Sequence, residues 1–218
     1  MNFHVVTLFP EVVDSYTQAS ILGRAQKDKK LKVKTYQLRD TAGNKWGKVD
    51  ERPYGGGPGM VLRAEPIIKA VQKIPRLNLG KKTKIIITAA GGKLLTNAYA
   101  KSLLKYKDVI IVCGRYEGID VRAKKALKAE EVSVGPYILT GGEVPAMAII
   151  DVTARQIPGV LGKFESLEEG RVASHDMYTR PEVLTIKKKS YRVPKVLLSG
   201  NHAKMNEWKE KRRSNPSK

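Results

Sequence analysis

Val109-Ile110-Ile111-Val112-Cys113-Gly114-Arg115-Tyr116-Glu117-Gly118-Ile119-Asp120 is the stretch that decides the fold class. Four β-branched residues in a row, without polar alternation, predict a strand buried on both faces. Glycines follow at once, and in a parallel sheet the carboxyl ends of strands are where ligands bind. Working outward, Ile85-Ile86-Ile87 predicts a second buried strand, and Val132 with Val134 a third, short one. Val5 to Phe9 and Leu31 to Leu38 predict two more, the latter with one wet face because Lys and Gln interrupt it. Helical patterns lie between these strands. Pro10-Glu11 opens one, Glu65-Pro66 opens another reaching Ile74, Thr96 caps one ending near Tyr106, and Pro145 to Ile157 is amphipathic. Strands alternating with helices predict an α/β fold around a mostly parallel sheet.

The charge is lopsided. Among 218 residues, 41 are Lys or Arg and 21 are Asp or Glu, a formal net charge of +20. Such an excess repels itself in the compact state, so a polyanion is the expected partner, nucleic acid before a membrane surface. A basic surface that serves only solubility is the plain alternative. The 41% hydrophobic content suffices for a core. Cys113 is the only cysteine, which excludes an internal disulfide and a CxxC metal site and fits a reducing cytoplasm. No apolar run approaches the ~18 residues of a membrane span. Met1 to Phe9 lacks a basic n-region and reads as strand rather than signal peptide. His4, His175 and His202 are too dispersed to hold a metal.

Texture changes after Gly162. Residues 1–162 read as the α/β domain, 163–177 as a polar linker, and 178–218 as a short basic module, mainly helical. Residues 187–218 carry 11 Lys or Arg against 2 Glu, and Ser199-Gly200-Asn201 predicts the cap of a last helix bearing Met205 and Trp208.

Three glycine-rich segments remain. Arg52-Pro53-Tyr54-Gly55-Gly56-Gly57-Pro58-Gly59-Met60 has no following Gly-Lys-Ser/Thr and is not a P-loop; alone, it fits a plain surface loop as well as a site. The Cys113–Asp120 run and Val134-Gly135-Pro136-Tyr137-Ile138-Leu139-Thr140-Gly141-Gly142-Glu143 both follow strands. Their glycines admit close backbone approach, Tyr, Ile and Leu supply apolar walls, and neither loop holds a lysine. That chemistry suits an adenine ring better than a phosphate.

Together with Leu8-Phe9-Pro10, Arg39-Asp40, Ile157-Pro158-Gly159-Val160-Leu161-Gly162, Tyr178-Thr179-Arg180-Pro181-Glu182-Val183 and Val196-Leu197-Leu198-Ser199-Gly200-Asn201-His202, these segments occur in an order that resembles one family. The chain looks like a bacterial tRNA (guanine-37-N1)-methyltransferase of the trefoil-knot SPOUT superfamily, over residues 1 to about 210. The resemblance implies a deep C-terminal trefoil knot in the sheet domain. It also implies a homodimer with the active site at the subunit interface, tRNA as substrate and S-adenosylmethionine as donor, with Mg²⁺ held transiently. It places the donor against Ile86, Ile87, Thr88, Gly114, Arg115, Tyr116, Glu117 and Gly118. The next loop adds Val134, Gly135, Tyr137, Ile138, Leu139, Gly141, Gly142 and Pro145. It puts Arg155 on the developing charge and makes Glu165, where the family carries Asp, the general base; Asp176, Glu168 and Glu169 stand as alternatives. Substrate contacts would come from Tyr54, Gly55, Gly56, Gly57, Pro58 and Gly59, and from Arg180, Lys187, Lys188, Lys189, Arg192, Lys195 and His202. The family usually has a longer helical C-terminal domain, whereas here the module stops soon after Trp208. A related knotted enzyme acting at another RNA position and a non-catalytic RNA-binding protein are the alternative functions.

Overall fold

A computed structural model gives the fold and describes residues 1–75, 79–80, 82–161 and 176–214. The chain divides into two compact units, Met1–Gly162 and Lys163–Lys218.

The first unit is built on strands β1 (Asn2–Thr7), β2 (Lys32–Gln37), β5 (Thr83–Leu94), β6 (Asp108–Val112) and β7 (Glu130–Ser133). They form one parallel sheet in the order β2-β1-β6-β5-β7. The short pair β3 (Asp50–Glu51) and β4 (Val61–Leu62) stands apart as an antiparallel ribbon. Helices α1 (Pro10–Thr17), α2 (Ser20–Lys27), α4 (Asn97–Leu103) and α6 (Glu143–Arg155) cover one face, burying Val13, Leu22, Leu103 and Ile149 with Phe3, Val5 and Ile111. Helices α3 (Ala64–Gln72) and α5 (Val121–Leu127) cover the other, where Ile67, Val71 and Leu127 meet Val6, Ile110 and Val112. Two covered faces explain the unbroken apolar run at 109–112, since successive side chains enter opposite cores.

The helix starts follow local chemistry. Pro10 occupies the first turn of α1, and Thr96 caps α4 by accepting from Tyr99 N at 3.1 Å. Helix α5 went unread in the sequence; Asp120 caps it, and Lys128 closes it at φ 50°. Strand β1 begins earlier than the Val5–Phe9 pattern implied.

Strand β5 is longer than Ile85–Ile87 and irregular. Both Thr88 and Lys93 pair with Val132, so residues 89–92 leave the ladder and return. That excursion lies at the carboxyl end of the sheet.

The second unit is not helical throughout. It holds an antiparallel hairpin, β8 (Val183–Ile186) with β9 (Lys189–Arg192), before α7 (Lys195–Leu198) and α8 (His202–Ser214). The Asn201 side chain accepts from Lys204 N at 3.1 Å, so the expected cap is present. The Tyr178 and Trp208 rings pack at 6.3 Å. Among the described residues, no helix is long and apolar enough to cross a membrane.

Candidate donor-binding site

The carboxyl ends of β5, β6 and β7 open into a cavity of about 460 Å³, within the usual range for small-molecule sites. Three loops wall it. From β5 and its excursion come Ile87, Thr88, Ala89, Ala90 and Gly91; after β6 come Gly114 through Ile119; and from β7 onward come Glu131 through Val134, then Ile138 through Gly142, and Pro145 of α6.

Close backbone packing, pinned by the Thr88 hydroxyl, shapes the floor. Thr88 Oγ1 accepts from Gly114 N at 3.0 Å, Gly142 N donates to Gly114 O at 2.8 Å, and Arg115 bridges to Gly141. A Cβ on Gly142 would lie 2.5 Å from Gly114 N and 2.7 Å from Cys113 Cα. Only glycine lets the 140–142 segment pass this close to the end of β6.

A buried polar clamp holds the walls together. The Glu143 carboxylate, only 5% exposed, accepts from Thr7 Oγ1 at 2.7 Å and from Arg115 Nη1 at 3.3 Å. The Arg115 guanidinium also lies 4.5 Å from the centre of the Phe9 ring. One carboxylate thus ties the end of β1, the loop after β6 and the start of α6. Glu143 was not among the expected site residues, because nothing in linear spacing pairs it with Thr7 or Arg115.

Electrostatically the cavity is unlike its protein. Its one cation, Arg115, is neutralised by Glu143, and Glu131 pairs with Lys124 at 2.5 Å. That leaves Glu117, which has no ion pair among the described residues, and no lysine lines the wall. An anionic hollow in a chain of net charge +20 suits a cationic ligand and opposes a phosphate. Cys113, beneath the floor, is buried; desolvation and the nearby Glu143 charge push its thiol well above the ordinary range, so it stays protonated and inert.

The family model for tRNA (Guanine-1)-methyltransferase TrmD matches residues 1–218. The chain belongs to that family. Among curated relatives, a tRNA (guanine-N(1)-)-methyltransferase of Desulforamulus reducens is 40% identical, covering 97% of this chain and 83% of the relative. A protein of the same name from Pseudoalteromonas atlantica is 45% identical over 96% of this chain and 78% of its own. One from Clostridioides difficile is 41% identical over 96% and 90%.

Of the residues for which the TrmD resemblance implied donor contacts, Ile86, Gly135 and Tyr137 do not line the cavity. Ile86 is fully buried, because strand alternation turns it to the opposite core from Ile87. Tyr137 donates to Val134 O at 3.2 Å, and its ring lies against Gly135. The remaining donor residues named from the sequence do line it. Ala89, Ala90, Gly91, Ile119, Glu131, Val132, Ser133 and Thr140 also line it and were not expected; the β5 excursion that delivers the first three left no periodic signal.

Of the residues assigned to the tRNA, those of the loop Tyr54 to Gly59 do not line this cavity. Tyr54 is 99% exposed, and Gly55, Gly56, Gly57 and Gly59 all have positive φ, which lets the exposed loop through Pro58 turn repeatedly. Glu117 N donates to Met60 O at 3.0 Å and Leu62 N to Gly118 O at 3.0 Å, so this loop's end is fastened to a cavity wall. In the second unit, Arg180, the hairpin residues Lys187, Lys188, Lys189 and Arg192, then Lys195 and His202 are all exposed. Arg155 is half-buried in the last turn of α6. Glu165, with Glu168 and Glu169, lies outside the described residues; Asp176 is half-buried.

Proposed function

We propose that this chain transfers the methyl group of S-adenosylmethionine to N1 of guanosine 37 of tRNA, 3′ of the anticodon, which supports reading-frame maintenance. It does so as a cytoplasmic homodimer. The observation that carries this reading is the glycine-floored, anionic cavity at the carboxyl ends of β5, β6 and β7. Its features fit the donor: apolar Ile87, Val134, Leu139 and Pro145 for the adenine, and Glu117 for a ligand bearing ammonium and sulfonium charge. Membership of the tRNA (Guanine-1)-methyltransferase family, and relatives named for guanine-N(1), support the substrate.

S-adenosylmethionine, when bound, supplies an electrophilic methyl group on a sulfonium leaving group. Guanine N1 carries a proton, and its lone pair attacks poorly until that proton leaves. Glu165 takes the proton as general base. Charge then developing on O6 is stabilised by the Arg155 guanidinium. N1 gains the methyl as the carbon–sulfur bond breaks. Among the described residues no three His, Cys, Asp or Glu side chains gather as a metal site.

One distance supports the dimer. Pro145 lines the cavity and Arg155 ends the same helix, about 15 Å farther along at the helical rise. That separation favours Arg155 serving the cavity of a second copy. The segment Thr140–Gly142 passing against Thr88, Cys113 and Gly114 supports a chain threaded as a trefoil knot. Residues 163–177 then link the domain to the basic tRNA-gripping module at 178–218.

Single-turnover methylation of tRNA tests the chemistry. Glu165→Gln is expected to slow it by orders of magnitude while donor affinity measured by calorimetry holds; near-normal turnover would return the base role to Asp176, Glu168 or Glu169. Mixing Arg155→Ala with a donor-cavity variant is expected to restore activity that neither has alone. No restoration would sink the shared site. Failure of the wild-type chain to bind S-adenosylmethionine would favour a non-catalytic RNA-binding protein.

A further inference from the structure

The sheet face beneath α3 and α5 changes character at its amino end. Farther along, Val6, Ile110 and Val112 lie buried with Ile67 and Val71. Helix α3 stops at Gln72, and the same faces of the strands then carry polar groups. The register sets Lys32, Asn2 and Asp108 in one row across β2, β1 and β6, with Lys34 beside His4 in the next. Together with Tyr36, Lys107 and Pro75 they line a cavity of about 270 Å³. Its back wall is a chain of hydrogen bonds. His4 is only 7% exposed, and its Nδ1 meets the Tyr36 hydroxyl at 3.0 Å while Nε2 meets Asp108 Oδ1 at 3.1 Å. Asn2 Nδ2 donates to the same oxygen at 2.8 Å. Three exposed ammoniums, of Lys32, Lys34 and Lys107, surround this wall, and none closes an ion pair among the described residues.

The plain explanation is that lysines on an edge strand guard it against pairing with another chain. That covers Lys32 and Lys34, since β2 is the edge. It does not cover Lys107, which precedes β6, nor a histidine and an aspartate on the interior strands β1 and β6. Apolar side chains would fill those interior positions at lower cost. Polar groups that break the local pattern and are nonetheless held by hydrogen bonds point to a function.

We propose that this cavity binds a small phosphomonoester, at a site separate from the donor cavity. The proposal does not rest on the methyl-transfer reading. Lysine ammoniums bind phosphate as point charges, and three of them face one carboxylate here. Asp108 spends Oδ1 on both of its hydrogen bonds, which leaves Oδ2 to accept from a hydroxyl on the organic part of the ligand. The volume falls just below the roughly 300 Å³ at which small-molecule sites begin, so a phosphate with a few carbons fits. A carboxylate set among the lysines opposes a run of successive phosphates, which argues for a small ligand over an RNA strand. The two cavities lie at opposite ends of β6, and their charges are opposite.

Glycerol 2-phosphate and inorganic phosphate, titrated into the full chain at constant ionic strength, test this. Calorimetry should give a saturable isotherm with one site per chain, and the His4 ring resonances should shift along with it. Lys34→Gln with Lys107→Gln is expected to raise the dissociation constant for both probes by roughly tenfold or more, with the thermal midpoint and S-adenosylmethionine affinity unchanged. Lys34→Arg with Lys107→Arg should keep the site, because the charges remain. Non-saturable binding, or saturation without a His4 shift, would overturn the proposal. Equal phosphate affinity in the glutamine variant would do the same. So would a glutamine variant that binds tRNA more weakly while its phosphate affinity holds, since the face would then serve RNA.

Discussion

The two units of this chain handle polar and charged groups in opposite ways. In residues 1–161 the charged groups that matter most are withdrawn and paired: Glu143 with Arg115 and Thr7, Asp108 with Asn2 and His4. In residues 176–211 no residue is buried, and an acid–base pair such as Glu207–Lys211 lies in the open. The first arrangement fixes side chains against one another, which suits the alignment of base, methyl and sulfur that methyl transfer needs. The second spreads positive charge over an exposed surface, which suits phosphates that provide affinity without requiring one geometry. Substitutions should therefore leave different signatures: lost donor binding in the first unit, altered salt dependence in the second.

Gly142→Ala should show the largest effect. The added methyl would meet backbone at 2.5 Å and 2.7 Å, atoms that cannot swing away. Overpacking of this kind costs about 1–3 kcal/mol, and here it displaces the cavity floor itself. Calorimetry should find donor binding lost or weakened by two orders of magnitude, while the variant's tRNA affinity and its salt slope stay near wild type. Simultaneous loss of both would erase the division of labour between the units.

Glu143→Ala comes next. It removes the carboxylate that Thr7 and Arg115 share and leaves a half-buried guanidinium without its partner. Charged hydrogen bonds of this sort contribute about 1.5–3 kcal/mol. A lowered unfolding midpoint with donor affinity reduced about tenfold is expected. Intact donor affinity would show that Arg115 holds its place by the Phe9 contact alone.

What the sequence made legible divides along the same line. The strands at 85–87 and 109–112 stand out because burial on both faces leaves no polar alternation. The fold class and much of the donor wall follow from them and from the glycines after β6 and β7. The excursion at 89–92 is hidden, since its return to Val132 is a pairing forty residues away. Helix α5 hides because Arg122, Lys124 and Lys125 leave it only Ala123 and Leu127 to bury. The hairpin hides behind Lys187-Lys188, which occupy positions where a turn would announce itself as Asn-Gly. Arg155 is legible as a helix-end cation, and the helix expected over Pro145 to Ile157 already separates it from Pro145; the structure sets that helix at Glu143–Arg155.

A smaller effect is expected from Trp208→Ala. The Tyr178–Trp208 ring contact at 6.3 Å is worth about 0.5–1.5 kcal/mol beyond the area it covers. Losing it should loosen α8, detectable as faster amide exchange there, and weaken tRNA binding a few-fold. Donor binding should not change. A drop in donor affinity would mean that the small unit supports the cavity.

The smallest effect expected separates stability from site within the first unit. Asp108 sits at the amino end of β6, the opposite end of the sheet from the cavity. Burial pushes its carboxyl upward, but hydrogen bonds from Asn2 at 2.8 Å and His4 Nε2 at 3.1 Å, with the Lys107 charge nearby, outweigh burial and hold it below the ordinary value. A folded-state pKa below the unfolded one means that the unfolded chain binds the proton more readily. The stabilisation is therefore present above the unfolded pKa of about 4 and disappears as pH falls through the folded value. Asp108→Asn should flatten the acid limb of the stability curve below about pH 4 and leave donor affinity at neutral pH unchanged. If the variant keeps the same acid limb, other carboxylates such as Glu130, held low by Lys84 and Tyr99 against the pull of burial, govern acid unfolding instead.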